Sequence, residues 1–290
     1  MIWIIMTRTD ADNYVSERNA KFIKEALGDA VRIITVTEDT SLGFIDCIND
    51  VVIAQTRNRT VLDSIIRTGV ANTVESKDTV LLTKDKEIVK RTIERAGLKS
   101  AKTIKRTDVI EEGKTYFVKP KFGEDSNGVD ERSKCSTAKQ IQQKCEELKA
   151  MGYEPIVEEY IDGEECTAAV LRHGNRISVY PIKVNIPTEF VTHEVKFSED
   201  EICEPLGERY CQEIEKVFKE ICYDGHYMRI DFRIKDEEVY IIDFNLFPGL
   251  GPIDHFAKCL SLNENKSYRD VLLAIANTAD RKAKPTNPTV

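Results

Sequence analysis

The sequence contains no apolar run near the roughly eighteen residues that a membrane-spanning helix requires, which excludes that class. It lacks an excess of basic residues. A net charge of -8 argues against a nucleic-acid backbone as the main partner, while leaving open a locally basic site for an anionic ligand. Its cysteines, Cys47, Cys135, Cys145, Cys166, Cys203, Cys211, Cys222 and Cys259, form no C-x-x-C pair and have no histidines at metal spacing, so reduced thiols and a cytoplasmic location are expected. No G-x-G-x-x-G follows the first apolar segment, and no loop has Walker A spacing, so a plain NAD-binding dehydrogenase fits poorly. The opening MIWIIM lacks a basic start, is too short for a signal-peptide core, and runs into polar TRTDADN without a cleavage pattern; it is expected to be a first β-strand.

What is present is an ordinary globular balance, 41% hydrophobic and 32% charged, over 290 residues. That length buries a sizeable core and suggests two or three subdomains. Residues 1 to about 75 alternate strands (Ile2-Met6, Val31-Val36, Val51-Ala54) with helices (Ser16-Leu27, ended by Gly28, and one near Thr60-Thr68), which predicts a parallel sheet. A helix from Lys84 to Ala96, with Thr83 as N-cap and Gly97 past its end, opens a second unit. Strands then dominate: TYFVKP, PIVEEYI, CTAAVLR and ISVYPIKV, with helices near Thr137-Met151 and Leu206-Cys222. The fold class is therefore α/β with α+β character. The final AKPTNPTV is expected to be a loose tail.

The strongest chemical signal is RIDFRIKDEEVYIIDFN at 229 to 245, two alternating segments about a charged turn. Alternation puts Ile230, Phe232 and Ile234, with Tyr240, Ile242 and Phe244 opposite, on one face, and Arg229, Asp231, Asp243 and Asn245 on the other. With a loop at Asp236-Glu238, Asp231 and Asp243 become opposed partners that repel unless a cation intervenes. Oxygen-only donors suit magnesium bound with substrate phosphates. A solvent-exposed polar sheet face would show the same pattern.

Two further segments are less specific. FVKPKFGEDSNGV is a strand ending at Lys119-Pro120 followed by a loop with Gly123, Ser126 and Gly128, suited to phosphate oxygens or to an ordinary surface turn. IVEEYIDGEECTAAVL carries Glu158, Glu159 and, after Asp162-Gly163, Glu165. It is either an acidic edge or a source of the acceptor, backbone amide and carboxylate that an adenosine site needs.

In this order the three segments resemble the ATP-grasp superfamily, in particular its D-alanine–D-alanine ligase branch, over roughly residues 80 to 260. The resemblance implies a small N-terminal parallel α/β subdomain (1–75) and two subdomains that clasp ATP between them (76–157 and 158–290). It implies that Lys86 and Lys119 bind phosphate and that GEDSNGV, with Ser126, covers it. Glu158 would accept from the adenine amine, the Ile161 backbone would meet the ring, and Glu165 would hold the ribose. TEFVTHEVKF resembles the loop that closes over the phosphates and places Lys196 near the transferred phosphoryl group; His193 within it is expected to be a polar loop residue. Asp231, Asp243 and Asn245 match the Mg²⁺ ligands, with Mn²⁺ as a substitute, and Arg229 matches the arginine that stabilises the tetrahedral oxyanion. Asp12, in TDADNYVS, would hold an ammonium group of the first amino acid.

The implied activity is carboxylate–amine ligation through an acyl-phosphate, on small-molecule substrates, with a homodimer expected from the same resemblance. The sequence departs from the branch at Asp243 (usually Glu), Phe197 (often Tyr), Asp125 (a serine expected) and Asp254 in FPGLGPIDHF, where a serine would bind the second substrate's carboxylate. Aspartate there repels a carboxylate, so the second substrate is expected to present an amine or hydroxyl, unless Asp254 merely caps the next helix. The alternatives are a specialised ligase of peptide-like metabolites and a nucleotide-binding regulator without turnover. The set Lys86, Lys119, Asp231, Asn245 and Arg229 weighs against the regulator.

Overall fold

The computed structural model describes residues 1–7, 17–105, 110–122, 128–185 and 202–281. The first unit comprises β1 (Ile2–Thr7), α1 (Glu17–Leu27), β2 (Val31–Val36), β3 (Val51–Ala54), α2 (Arg59–Thr68), β4 (Ala71–Asn72) and α3 (Lys77–Leu82). Its parallel sheet has the order β2-β1-β3-β4. Both Ile4 and Ile5 are fully buried, because helices cover both faces of a parallel sheet and leave no wet side for alternation. α2 is fixed at its start by the Asn58 side chain accepting from the Val61 amide, and at its end by Gly69 at φ +77°. The chain returns to this sheet late, where Asn72 bridges Asp280.

The second unit begins with α4 (Lys86–Arg95) and β5 (Lys99–Ser100) and continues with β6 (Thr103–Ile104), β7 (Tyr116–Pro120), β8 (Lys134–Cys135), α5 (Ala138–Ala150) and β9 (Pro155–Glu159). Thr83 does not cap α4. It ends α3, a short helix without a sequence signal, and Asp85 caps α4 by accepting from the Glu87 and Ile88 amides. α5 starts where expected, with Thr137 and Gln140 in a capping box. Its Ile141 and Leu148 pack on Tyr116, Val118 and Cys135 of the antiparallel sheet β6-β9-β7-β8, a small core of their own.

The third unit comprises β10 (Glu164–His173), β11 (Arg176–Asn185), β12 (Ile202–Pro205), α6 (Cys211–Ile221), β13 (Tyr227–Lys235), β14 (Glu238–Asn245), α7 (His255–Glu264) and α8 (Tyr268–Ala276). Its sheet runs β12-β11-β10-β13-β14-β5, so β5 crosses over from the second unit. The boundary expected at 157/158 falls inside β9. α6 begins at Cys211, after turns at 207–210, later than the expected Leu206. Both faces of this sheet share cores with the first unit: Ile5, Val52 and Leu62 pack with Val170, Phe218 and Phe232, and Ile4, Ile23 and Ile53 with Leu171, Phe256 and Leu272. The first and third units thus form one body, to which the central sheet is attached through α4, β5 and the site between them. No helix among the described residues is long and apolar enough to cross a membrane.

The β13–β14 hairpin turns through two residues, Asp236 and Glu237, at φ +51° and +65°, not the expected three. Two left-handed residues match the twist of a tight hairpin, at a strain cost for any side chain but that of glycine or asparagine. Glu237→Gly should therefore raise the apparent melting temperature by about 1–3 °C, from about 0.5–1 kcal/mol. The exposed Arg209–Glu237 ion pair that it removes contributes little. Thermal unfolding followed by circular dichroism checks this; an unchanged or lowered transition would contradict it.

Candidate active site

A two-residue turn alone would put Asp231 and Asp243 out of register. The ladder pairs Phe232 with Ile241 and then Asp231 with Asp243, leaving Ile242 of β14 as a bulge with no partner on β13. The bulge restores the opposed carboxylates expected from the sequence. It also swaps the apolar face: Ile241 and Phe244 are buried, whereas Tyr240 and Ile242, expected beside Phe244, are only partly so.

Alternation along β10 and β13 then builds one polar file across the sheet. Thr167 lies opposite Asp231 and Glu165 opposite Arg233, while Arg229 faces Asn245. Arg229 holds Asp231 in a fork, Nε to Oδ1 at 2.9 Å and Nη2 to Oδ2 at 2.8 Å. The Thr167 hydroxyl donates to Oδ1 at 2.6 Å and the Asn245 amide to Oδ2 at 3.2 Å. Burial works against the Arg229 charge, but Asp231 outweighs it and holds the guanidinium above its ordinary value.

The central unit supplies cations to the same place. α4 presents Lys86, whose ammonium lies 4.0 Å from Asp243 Oδ2. Burial pulls Lys86 down, against the attraction of Asp243. One turn further, Lys90 lies 2.8 Å from Glu158 Oε1, and Lys119 at the end of β7 lies 3.1 Å from Glu158 Oε2. Lys119 also donates to the carbonyl of Ile242, the bulged residue, at 3.3 Å. Glu158 is 2% exposed. Burial pushes its carboxyl up, but Lys119 and Lys90 overcome this and hold it below the ordinary value. Lys119 is correspondingly raised, its burial outweighed by Glu158.

The remaining expected residues divide. Glu165 accepts from Arg233 Nε at 2.8 Å, and the same guanidinium donates to the Ile161 carbonyl at 2.7 Å and lies under the Tyr160 ring. Asp254 sits at the N-cap of α7 without accepting from it. Its Oδ2 instead takes the Gly251 amide at 2.6 Å and the Asn19 amide at 2.9 Å, tying α1 to the loop after β14. Lys196, Ser126 and Asp12, with His193, Asp125 and Phe197, lie outside the described residues. Sequence reasoning missed Lys90, Thr167 and Arg233. Thr167 and Arg233 had a signal in the alternation of β10 and β13, which fixes their face once Asp231 is placed. Lys90 had only its i, i+4 spacing from Lys86.

The donor set fits a hard divalent cation: two opposed carboxylates and an amide, all offering oxygen. Among the described residues no group of three or more carboxylates, histidines or cysteines could hold a metal alone, so phosphate or water oxygens would have to complete the shell. Asp231 is meanwhile neutralised by Arg229.

This geometry can be set beside known proteins. The family model for the D-ala D-ala ligase C-terminus matches residues 90–275, well over half of the chain. The chain belongs to that family. The D-alanine–D-alanine ligase of Maridesulfovibrio salexigens is 25% identical over 175 residues, 58% of this chain and 56% of that protein. That of Oceanobacillus iheyensis is 27% identical over 209 residues, 65% of this chain and 56% of the relative. The matches thus span little more than half the length of these curated relatives. In structure, D-alanine–D-alanine ligase from Bacillus anthracis aligns with TM-score 0.71 at 20% identity, covering 96% of each chain. VanG D-Ala:D-Ser ligase from Enterococcus faecalis aligns at 0.70 with 16% identity, covering 96% of this chain and 98% of its own. The fold of this family member is accordingly ATP-grasp, as the motifs implied.

Within that fold, the charge state of Glu158 is constrained by the two lysines that touch it. Its folded-state value lies below the ordinary 4.5, so its contribution is present above that pH and is lost as pH falls through the folded value. Glu158→Gln leaves two buried ammonium groups against a neutral amide and should cost about 3–5 kcal/mol at neutral pH. It should also flatten the loss of stability between about pH 5 and pH 3. Urea unfolding across pH tests both, and an unaltered acid limb would show that Glu158 is not ion-paired in the folded protein.

Proposed function

We propose that the protein is an ATP-dependent carboxylate–amine ligase of the D-alanine–D-alanine ligase type. It would phosphorylate an amino-acid carboxylate with Mg·ATP, and an amine would attack the acyl-phosphate, releasing ADP and phosphate. The observation that carries this reading is the face on which Asp231 and Asp243 oppose each other beside Arg229 and Asn245, with Lys86 at its edge and Lys119 reaching the same strand. Such a face suits phosphoryl transfer, which needs positioning and charge neutralisation more than a protein nucleophile. A D-alanine–D-alanine ligase of the same fold has been solved complexed with ATP, at TM-score 0.69 and 19% identity over 96% of each chain.

In this reading Asp243, Asp231 and Asn245 would hold Mg²⁺ (or Mn²⁺), which neutralises phosphate charge. Lys86 and Lys119 take the phosphate oxygens, and the resemblance adds Lys196 and Ser126 to them. Glu158, Ile161 and Glu165 surround the nucleoside, Arg233 fixing the last two. Arg229 is placed for the oxyanion, held in plane by Asp231. Asp12 and Asp254 would serve the amino-acid substrates. Three units, divided near residue 75 and after β9, and a homodimer in the cytoplasm complete the proposal. An acidic side chain at Asp254 disfavours a second substrate with a free carboxylate at that point.

The test is Mg-dependent ADP and phosphate release from ATP across D- and L-amino acids, singly and in pairs, with Asp231→Ala as control. Release should require an amino acid and fall on the order of a hundredfold or more in the control. ATP binding without release on any member would contradict ligation, and saturation at low D-alanine would contradict the reading of Asp254.

A further inference from the structure

The nucleotide reading gives a role to Lys119 and to Glu158 but leaves Lys90 without one. Lys90 is 5% exposed, in the middle of α4. Its ammonium lies 2.8 Å from Glu158 Oε1 and donates to the Ala101 carbonyl at 2.7 Å. Glu158 thus has one lysine on each oxygen, from different elements: Lys90 from α4 and Lys119 from β7. A single ammonium in contact would be enough to offset one carboxylate, and burying a second against the same group costs further desolvation. The surplus cation is the observation to be explained.

We propose that Lys90 is a positioning residue for the nucleotide, keeping the Glu158 carboxylate ionised and fixed while Lys119 is shared with a phosphate oxygen. The proposal rests on the nucleotide reading of the site. Without Lys90, engaging Lys119 at a phosphate would leave Glu158 a buried anion with no cation in direct contact, which favours uptake of a proton. With Lys90, the two lysines divide the work. Lys119 is held by the Ile242 carbonyl at 3.3 Å, whereas Lys90 is held more closely by the Ala101 carbonyl at 2.7 Å. α4 also sets the spacing, since Lys86 and Lys90 occupy one face a turn apart, the first at Asp243 and the second at Glu158. Burial brings Lys90 down to about 8, against the pull of Glu158, so it is charged at neutral pH.

The experiment is calorimetric titration of the full chain with Mg·ATP at pH 7, in two buffers of different ionisation enthalpy, for wild type, K90M, E158Q and K90M/E158Q. K90M should bind about ten- to a hundredfold more weakly and take up a proton on binding that wild type does not. In the E158Q background, adding K90M should change affinity by less than about twofold and take up no proton. Unchanged affinity and proton count in K90M would overturn the proposal. An equal loss in the E158Q background would also overturn it, by showing a packing role alone. If K90M fails to fold, E158Q against the double variant decides, since neither leaves an anion unpaired. Absence of ATP binding by wild type would overturn the nucleotide reading itself and the proposal with it. That outcome is distinct from normal wild-type binding with an indifferent Lys90.

Discussion

A carboxylate at 2% exposure stays ionised only if cations or hydrogen-bond donors compensate it, and the rest of the site depends on Glu158 meeting that demand with two lysines. Its two lysines come from α4 and β7, and Glu158 itself from β9, so one electrostatic requirement fixes three elements against each other. Hydrophobic contact alone would not do this, because the central unit has only a small core of its own around Tyr116, Val118, Ile141 and Leu148. α4 itself is anchored by apolar packing, since Val89 and Ile93 enter the core shared by the first and third units, so the polar junction at Glu158 ties the small central sheet to that anchored helix.

That division of labour explains where rigidity lies. The parallel sheet of the first unit and the long sheet of the third share apolar packing on both faces, which leaves little freedom between them. The groups that must hold their geometry, Asp231, Asp243, Asn245 and Arg229, sit on the central strands of the rigid sheet. Of the groups that would meet phosphate, Lys86 sits on α4, which shares that packing, and Lys119 sits on the small central sheet with its separate core. Arg233 serves the junction from the rigid side. By bonding both Glu165 and the Ile161 carbonyl, it fixes the chain just past β9, where it crosses from one sheet to the other.

How much of this was legible in the sequence follows from the range of each interaction. Strands such as Val31–Val36 and Val51–Ala54 and the start of α5 near Thr137 rest on local patterning and emerge as expected, whereas Asp231 faces Asp243 as expected but through a bulge and not the expected loop. Thr83 was mistaken for the cap of α4 because T-K-D-K offers two capping side chains. Only the short helix before it, which has no apolar period, decides for Asp85. Lys90 was invisible as a site residue because a lysine in an amphipathic helix ordinarily reaches water. Its burial depends on a carboxylate from a strand far along the chain. Asp254 was legible as unusual but not as a tether, since its partner Asn19 comes from the other end of the sequence.

The bulge at Ile242 shows how local chemistry and tertiary demand are reconciled. A two-residue turn at Asp236–Glu237 sets a ladder in which Asp231 would face Ile242, and the extra residue in β14 shifts it by one, so that two carboxylates meet instead. A bulged residue is left out of the ladder, so its backbone groups need partners from elsewhere. The Ile242 carbonyl finds one in the Lys119 ammonium at 3.3 Å. The irregularity that brings the two acidic groups together therefore also provides the acceptor that draws a lysine of the central unit onto the same strand. Register, charge and the junction between units are set by one inserted residue. A strand of perfect alternation would have kept the apolar face regular, lost the opposed carboxylates, and left Lys119 without its hold on β14.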